Sequence, residues 1–207
     1  ISMLSAEAYY FKGDYERAAG AYEAFLEENP NRAEGSLLFR AGYANYALNQ
    51  ADKALTYLSK SAASKDSVSY YASYYLGILH LKGGDKLLAL NGFDYSRKVP
   101  HDKKLAEEAT FQFGKVSYDA GRPEQSINVL EKFLINFRGS VHANEVKELL
   151  AQAYVNGNNF HKAIEYIEAL PSKNQQIQQA YQKATFLMGA ELFNKNSYAD
   201  AVSYFER

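Results

Sequence analysis

One residue pattern recurs along the whole of this 207-residue chain. A small residue stands at Ala18, Ala54, Ala89, Ser126, Ala163 and Ala201, at successive spacings of 36, 35, 37, 37 and 38. Twelve positions before each lies another small residue: Ala6, Gly42, Gly77, Gly114, Ala151 and Gly189. Four positions after each lies a large one: Tyr22, Leu58, Phe93, Leu130, Ile167 and Phe205. Each repeat also carries a turn dipeptide: Gly13-Asp14, Asn49-Gln50, Gly84-Asp85, Gly121-Arg122, Asn158-Asn159 or Asn196-Ser197. Self-similarity at such a period marks a repeat architecture, in which stacked neighbours bury what one unit cannot bury alone.

The residue types say what each unit is. A small residue on each of two helices lets their backbones approach, and the large residue one turn later fills the groove between them. Gly and Asn suit the left-handed conformation that ends a helix. Asp14, Asp85, Asn159 and Ser197 are suited to cap the helix that follows, and Pro123 to open one. Apolar residues recur at three and four rather than at two, which favours helix over strand even in the Tyr-rich stretch 69–81. The pattern predicts helices at 2–12, 15–28, 33–48, 51–62, 67–82, 85–98, 103–120, 123–136, 141–156, 160–169, 174–195 and 198–207. The expected fold is all-α: a right-handed α-solenoid (superhelix) of about six antiparallel helix pairs. It is read as a single solenoid over 1–207, with repeats at 1–31, 32–66, 67–102, 103–139, 140–172 and 173–207. Helical patterns running into both ends suggest a piece of a longer protein.

Charge narrows the function classes. Basic and acidic residues number 23 and 24, for a net charge of -1. A nucleic-acid binder would carry a basic face, so no nucleic acid is expected as partner. With no cysteine, disulfide frameworks and thiolate zinc sites are out. No apolar run approaches the ~18 residues that span a membrane, so no direct membrane span is expected.

Catalytic and cofactor patterns are missing as well. His80, His101, His142 and His161 fall in different repeats, and His142 with Glu145 makes only a two-ligand pair where zinc needs three or four. Lys82-Gly83-Gly84-Asp85-Lys86 lacks the Gly-Lys-Ser/Thr ending of a phosphate loop and sits at a repeat turn. No enzyme activity, no metal and no cofactor is expected.

Leu76-Gly77 followed by Ala89 and Phe93 resembles the tetratricopeptide repeat (TPR) signature. Ala18, Tyr22 and Pro30 match its second half, and Met188-Gly189, Ala201 and Phe205 match it again. The family's usual Trp is absent. The resemblance covers essentially the whole chain. The stretch 131–154 is also similar to an envelope subgroup of these repeats, with Arg138 where that subgroup usually has Pro, and residues 189–207 to repeat proteins of Bacteroidetes. This implies a periplasmic or outer-membrane-associated place in a Gram-negative bacterium rather than the cytoplasm.

The resemblance implies a protein–protein interaction scaffold holding a peptide or protein segment in a concave groove lined by the first helix of each pair. The aromatic surplus, 18 Tyr and 12 Phe, supplies candidate contacts, because Tyr presents a large apolar face with a polar tip. Positions at fixed offsets from the small residue name Phe39, Tyr43, Tyr46, Tyr74, Ile78, Phe111, Lys115 and Tyr118, continued by Phe186 and Phe193. In the fifth repeat the set turns polar, with Glu148, Gln152 and Val155. The envelope implies a role in bacterial envelope assembly. The alternatives are a non-catalytic superhelical arm of a larger envelope enzyme and a structural module that self-associates through the solenoid ends.

Overall fold

The structure, a computed structural model, describes residues 2–207; Ile1, first residue of the first predicted repeat, lies outside the described residues. The described residues form twelve α-helices and no strand, so the protein is all-α. The helices are α1 (Met3–Lys12), α2 (Tyr15–Glu28), α3 (Gly35–Ala47), α4 (Ala51–Ala63), α5 (Ser69–Lys82) and α6 (Lys86–Ser96). They continue with α7 (Lys103–Asp119), α8 (Pro123–Asn136), α9 (Ala143–Asn156), α10 (Phe160–Glu168), α11 (Gln175–Asn194) and α12 (Tyr198–Phe205). Each lies where the pattern predicts it, with ends shifted by two residues at most. Packing divides the described chain into two compact units, one running to Ala109 and one from Thr110 to Arg207, so α7 contributes to both.

In the first unit α1 pairs with α2, α3 with α4 and α5 with α6, and α2 packs on α3 and α4 on α5. In the second unit α11 pairs with α12, while α8 packs on α9, and α10 on both α9 and α11. The recurrent contact is the one the spacing demands. A Cβ added to Gly42 would sit 2.7 Å from Leu58, one on Gly77 2.7 Å from Phe93, and one on Gly189 2.6 Å from Phe205. Where alanine takes the position, Ala6 and Ala151 are fully buried, as are their partners Tyr22 and Ile167. Leu58, Phe93 and Leu130 are likewise fully buried. Phe205 departs from this: it packs on Gly189 but stays 46% exposed, because its far side is uncovered.

The six turns share one device. Gly13, Asn49, Gly84, Gly121, Asn158 and Asn196 all have positive φ, between 58° and 84°, the conformation that Gly and Asn reach at least cost. The next residue is the N-cap of the second helix. Asp14, Asp85 and Asn159 accept hydrogen bonds from the amides of Arg17, Leu88 and Lys162. Ser197 makes no such side-chain bond.

Two glycines test the packing with opposite signs. A Cβ on Gly92 would lie 2.5 Å from the Ser73 carbonyl oxygen and 2.9 Å from the Gly77 amide nitrogen, where backbone has to move. Gly92→Ala is expected to cost about 1–3 kcal/mol, as overpacking of a close contact does. Gly20, within α2, has nothing within 4 Å of the added Cβ. Gly20→Ala is expected to add about 0.5–1 kcal/mol through helix propensity. Urea midpoints that move in the same direction for both substitutions would contradict this packing.

Candidate peptide-docking face

Phe39, Tyr43 and Tyr46 stand at i, i+4 and i+7, one face of α3. Tyr71, Tyr75, Ile78 and Lys82 repeat that spacing on α5. The two faces meet in the first unit. Tyr75 lies at the centre, its ring centroid 5.0 Å from those of both Tyr43 and Tyr46, 6.1 Å from Phe39 and 5.5 Å from Tyr74. Tyr43 extends the row to Tyr10 of α1 at 6.0 Å and to Tyr15 of α2 at 5.6 Å. Edge-to-face and tilted pairs at these distances are the favoured aromatic arrangements. The row is partly exposed throughout.

The sequence offsets name Phe39, Tyr43, Tyr46, Tyr74 and Ile78 and miss Tyr75 and Tyr71. Tyr75 falls two residues before Gly77, an offset occupied in other repeats by Arg40, Gln112, Leu149 and Leu187, so the repeat frame hides it. The i, i+4 relation of Tyr71 to Tyr75 is the signal that finds it. Tyr74 has a second attachment, its ring lying 5.7 Å from that of Phe93, so it belongs to the seam as well as to the face.

Two of the carboxylates beside the row are internally matched. The Glu7 carboxylate lies 2.9 Å from Arg40 Nε and accepts the Tyr22 hydroxyl at 3.1 Å. Asp102 accepts the Tyr71 hydroxyl at 2.7 Å and the Leu105 amide at 2.9 Å; the Tyr71 hydrogen bond, before the others, holds its carboxyl below the usual value. Lys82 Nζ sits 5.1 Å from the Tyr46 ring centroid, a cation–π distance. Tyr46 and Lys82 also line a recess of about 390 Å³ with Asn49, Asp52, Leu55 and Leu79.

Burial governs the phenols. It pushes Tyr10 up to about 12, with smaller contributions from the neighbouring Tyr43 and Tyr15. Tyr74 is likewise raised to about 12, by burial and then by Glu108. Tyr75 is raised too, by burial first and then by the neighbouring Tyr43. These hydroxyls keep their protons at any physiological pH.

The second unit holds the remaining predicted positions, and one of them is corrected. Phe111 is only 3% exposed; it stacks on the His142 ring at 4.1 Å and packs on Phe133 at 6.3 Å, so it is a core residue and lines no groove. Lys115 is ion-paired with Glu145 at 2.6 Å, so its charge is answered within the chain. Tyr118 accepts a hydrogen bond from Asn156 Nδ2 at 2.8 Å. It borders a polar recess of about 240 Å³ with Gln152, Asn156, Gln176, Gln179 and Lys183. Gln152 and Val155 of the expected polar set do line it, whereas Glu148 is engaged by Asn174. Among the described residues no group of three or more His, Cys, Asp or Glu is placed to hold a metal ion, and no helix is long and apolar enough to cross a membrane.

The sequence profile described as tetratricopeptide repeat matches residues 3–67 and 111–179, more than half of the chain. The chain belongs to the tetratricopeptide repeat family. No curated protein matches it. Solved structures share its fold. The crystal structure of MamA is 20% identical, with a TM-score of 0.64 over 87% of this chain and 90% of that one. The crystal structure of YrrB, described as a TPR protein with an unusual peptide-binding site, is 14% identical, with a TM-score of 0.58 over 90% of both chains. A structure of Pseudomonas aeruginosa pilF is 18% identical, with a TM-score of 0.54 over 96% of this chain and 85% of that one.

In this TPR unit the phenol shifts fix the sign of a pH effect. The unfolded chain releases tyrosine protons near the ordinary value of 10.0, whereas folded Tyr10 and Tyr74 hold theirs to about 12. The folded state then binds more protons, so stability is full below about pH 10 and falls as pH rises toward 12. Thermal melts by circular dichroism should show this decline, and Tyr10→Phe with Tyr74→Phe should make it shallower. A decline of unchanged steepness in that variant would contradict the burial of these hydroxyls.

Proposed function

We propose that this protein is an interaction scaffold, and that the aromatic face on α3 and α5 docks a peptide or protein segment. The observation that carries the reading is the continuous set of partly exposed rings, Phe39, Tyr43, Tyr46, Tyr71 and Tyr75, spaced 5.0–6.2 Å apart. The grooves beside Gly42 and Gly77 are filled by Leu58 and Phe93, while Phe39, Tyr46 and Tyr75 pack against the Ala54, Leu58 and Ala72 cluster and still stay partly exposed. Large aromatic residues dominate protein-interface energetics, and the peptide-binding site named for YrrB is in keeping with such a role. The Tyr118 recess is a second polar contact region in its own unit. The envelope of a Gram-negative bacterium is the setting we propose, on the phrasing of residues 131–154 and 189–207, with envelope assembly as the process served.

A second reading is favoured by a separate observation. Phe186, Phe193, Tyr198, Val202 and Phe205 are 46–62% exposed on α11 and α12. Apolar exposure of this kind suits self-association through that face, which light scattering of the protein and of a Val202→Lys variant would read directly.

The docking reading is tested by selecting segments from a random peptide library on the wild-type protein, then measuring them on a Tyr43→Ala/Tyr46→Ala variant. Truncating interface aromatics commonly costs about 2 kcal/mol or more, so binding should weaken by about thirtyfold or more while the fold, followed by circular dichroism, is kept. Unchanged affinity in the folded variant would reject the face.

A further inference from the structure

We infer that the occupant of the aromatic face is a basic segment that lays an arginine over the Tyr46 ring beside Asp52; this rests on the reading of that face as a docking surface. The first observation is a cation already in place. Lys82 Nζ lies 5.1 Å from the Tyr46 ring centroid, at the recess of about 390 Å³ that both residues line with Asp52, Asn49, Leu55 and Leu79. Lys82 is exposed, and among the described residues no carboxylate lies within ion-pairing distance of it. Its contact is the ring face, not a salt bridge. Arg17 over Tyr9 and Arg32 over Phe25, each 5.7 Å from the centroid, show the same attraction in this unit, which arises from the negative face of the ring quadrupole. Lys82 is long and exposed, so a partner's cation takes its place over the ring while Lys82 turns out to solvent.

The second observation is the charge around the rings. Four carboxylates stand beside them: Glu7, Asp102 at Tyr71, Glu108 near Tyr74, and Asp52 in the recess. Three cations stand with them: Arg40, Lys104 and Lys82. Arg40 is committed to Glu7, and Lys104 acts on Asp102. Lys82 is left to face the charges of both Asp52 and Glu108, so the balance is acidic. Asp52 is exposed in the first turn of α4 and forms no ion pair among the described residues. Opposite charge on the incoming segment complements this surface, and an acidic segment would meet repulsion.

The third argument is what the recess accepts. Phenol oxygens both donate and accept hydrogen bonds, so the hydroxyls of the row are neutral in this choice. Asp52 is not, because an ionised carboxylate only accepts, and a guanidinium only donates. One recess thus combines a stacking surface, Tyr46, with an acceptor for a forked donor, Asp52. Arginine uses both at once through its planar guanidinium, whereas the lysine ammonium is a point charge without a stacking plane. Leu55 and Leu79 give the apolar wall against which the methylene stem of an arginine lies.

The test is a titration of the whole chain, followed by tyrosine fluorescence, with an end-blocked ten-residue Gly-Ser peptide carrying three arginines. The chain has 18 tyrosines and no tryptophan, so no indole emission masks the signal. Saturable binding at concentrations below about 1 mM is expected. The same peptide with citrulline, the uncharged counterpart of arginine, or with glutamate in those three places should bind about tenfold more weakly or worse. Asp52→Asn and Lys82→Met alter exposed side chains and should melt like the parent. Asp52→Asn should weaken the arginine peptide about threefold. Lys82→Met should strengthen it about threefold, because the resident cation no longer competes for the ring; a partner held by Lys82 itself would be weakened instead. Arginine-peptide binding that is absent, matched by the citrulline or glutamate peptide, indifferent to Asp52→Asn, or not strengthened by Lys82→Met overturns the inference. If library selection meanwhile returns segments without basic residues that need Tyr43 and Tyr46, the docking face stands and the arginine assignment falls. If no segment of any kind depends on those rings, both fall together.

Discussion

Everything else in this chain depends on one close approach. The first helix of a pair gives up its side chain at one position so that the second can press a large residue against its backbone. At Gly77 a single added carbon would lie 2.7 Å from the Phe93 ring, inside any tolerable contact distance. The paired helices are joined by tight turns, and each of the six turns contains a left-handed Gly or Asn. The tight turn in turn fixes where the second helix starts, which is why Asp14, Asp85 and Asn159 are in position to cap it. Packing, turn conformation and capping are thus three consequences of one spacing.

The same contact sorts the aromatic residues into two populations. Tyr22 and Phe93 are fully buried because they fill the groove beside a small residue. Tyr43, Tyr46 and Tyr75 stay partly exposed and pack on one another, and Tyr46 and Tyr75 also rest against the Ala54, Leu58 and Ala72 cluster. Their hydroxyls form a polar fringe over an apolar floor, held protonated where burial is deepest, as at Tyr75. A surface of that composition is able to take up an apolar partner while still giving it hydrogen bonds, which a purely aliphatic face does not do.

The helices were legible in the sequence because their causes are local: spacing, turn residues and caps all lie within one repeat. The face was legible only in part. Offsets counted from the small residue name Tyr43 and Tyr46, whose rings lie 6.0 Å apart on one side of α3. They fail at Phe111, because burial there comes from Phe133 of α8 and His142 just before α9, partners that no offset within α7 reveals. Lys115 is a similar case: its charge is answered by Glu145, thirty residues on, which no offset within α7 reveals. Tyr75 escaped for the opposite reason, as its position is special to one repeat and an average over six hides it.

The segregation of seam from face on α3 has a consequence for how such a chain changes over generations. Gly42 answers to Leu58, Phe39 and Tyr46 pack both on other rings and on the Ala54, Leu58 and Ala72 cluster, and Tyr43 answers mostly to other rings. Substitutions at Tyr43 therefore meet less opposition from the pairing of the helices than those at Phe39 or Tyr46, so lineages descending from this sequence are freer to vary that side chain while inheriting the same backbone.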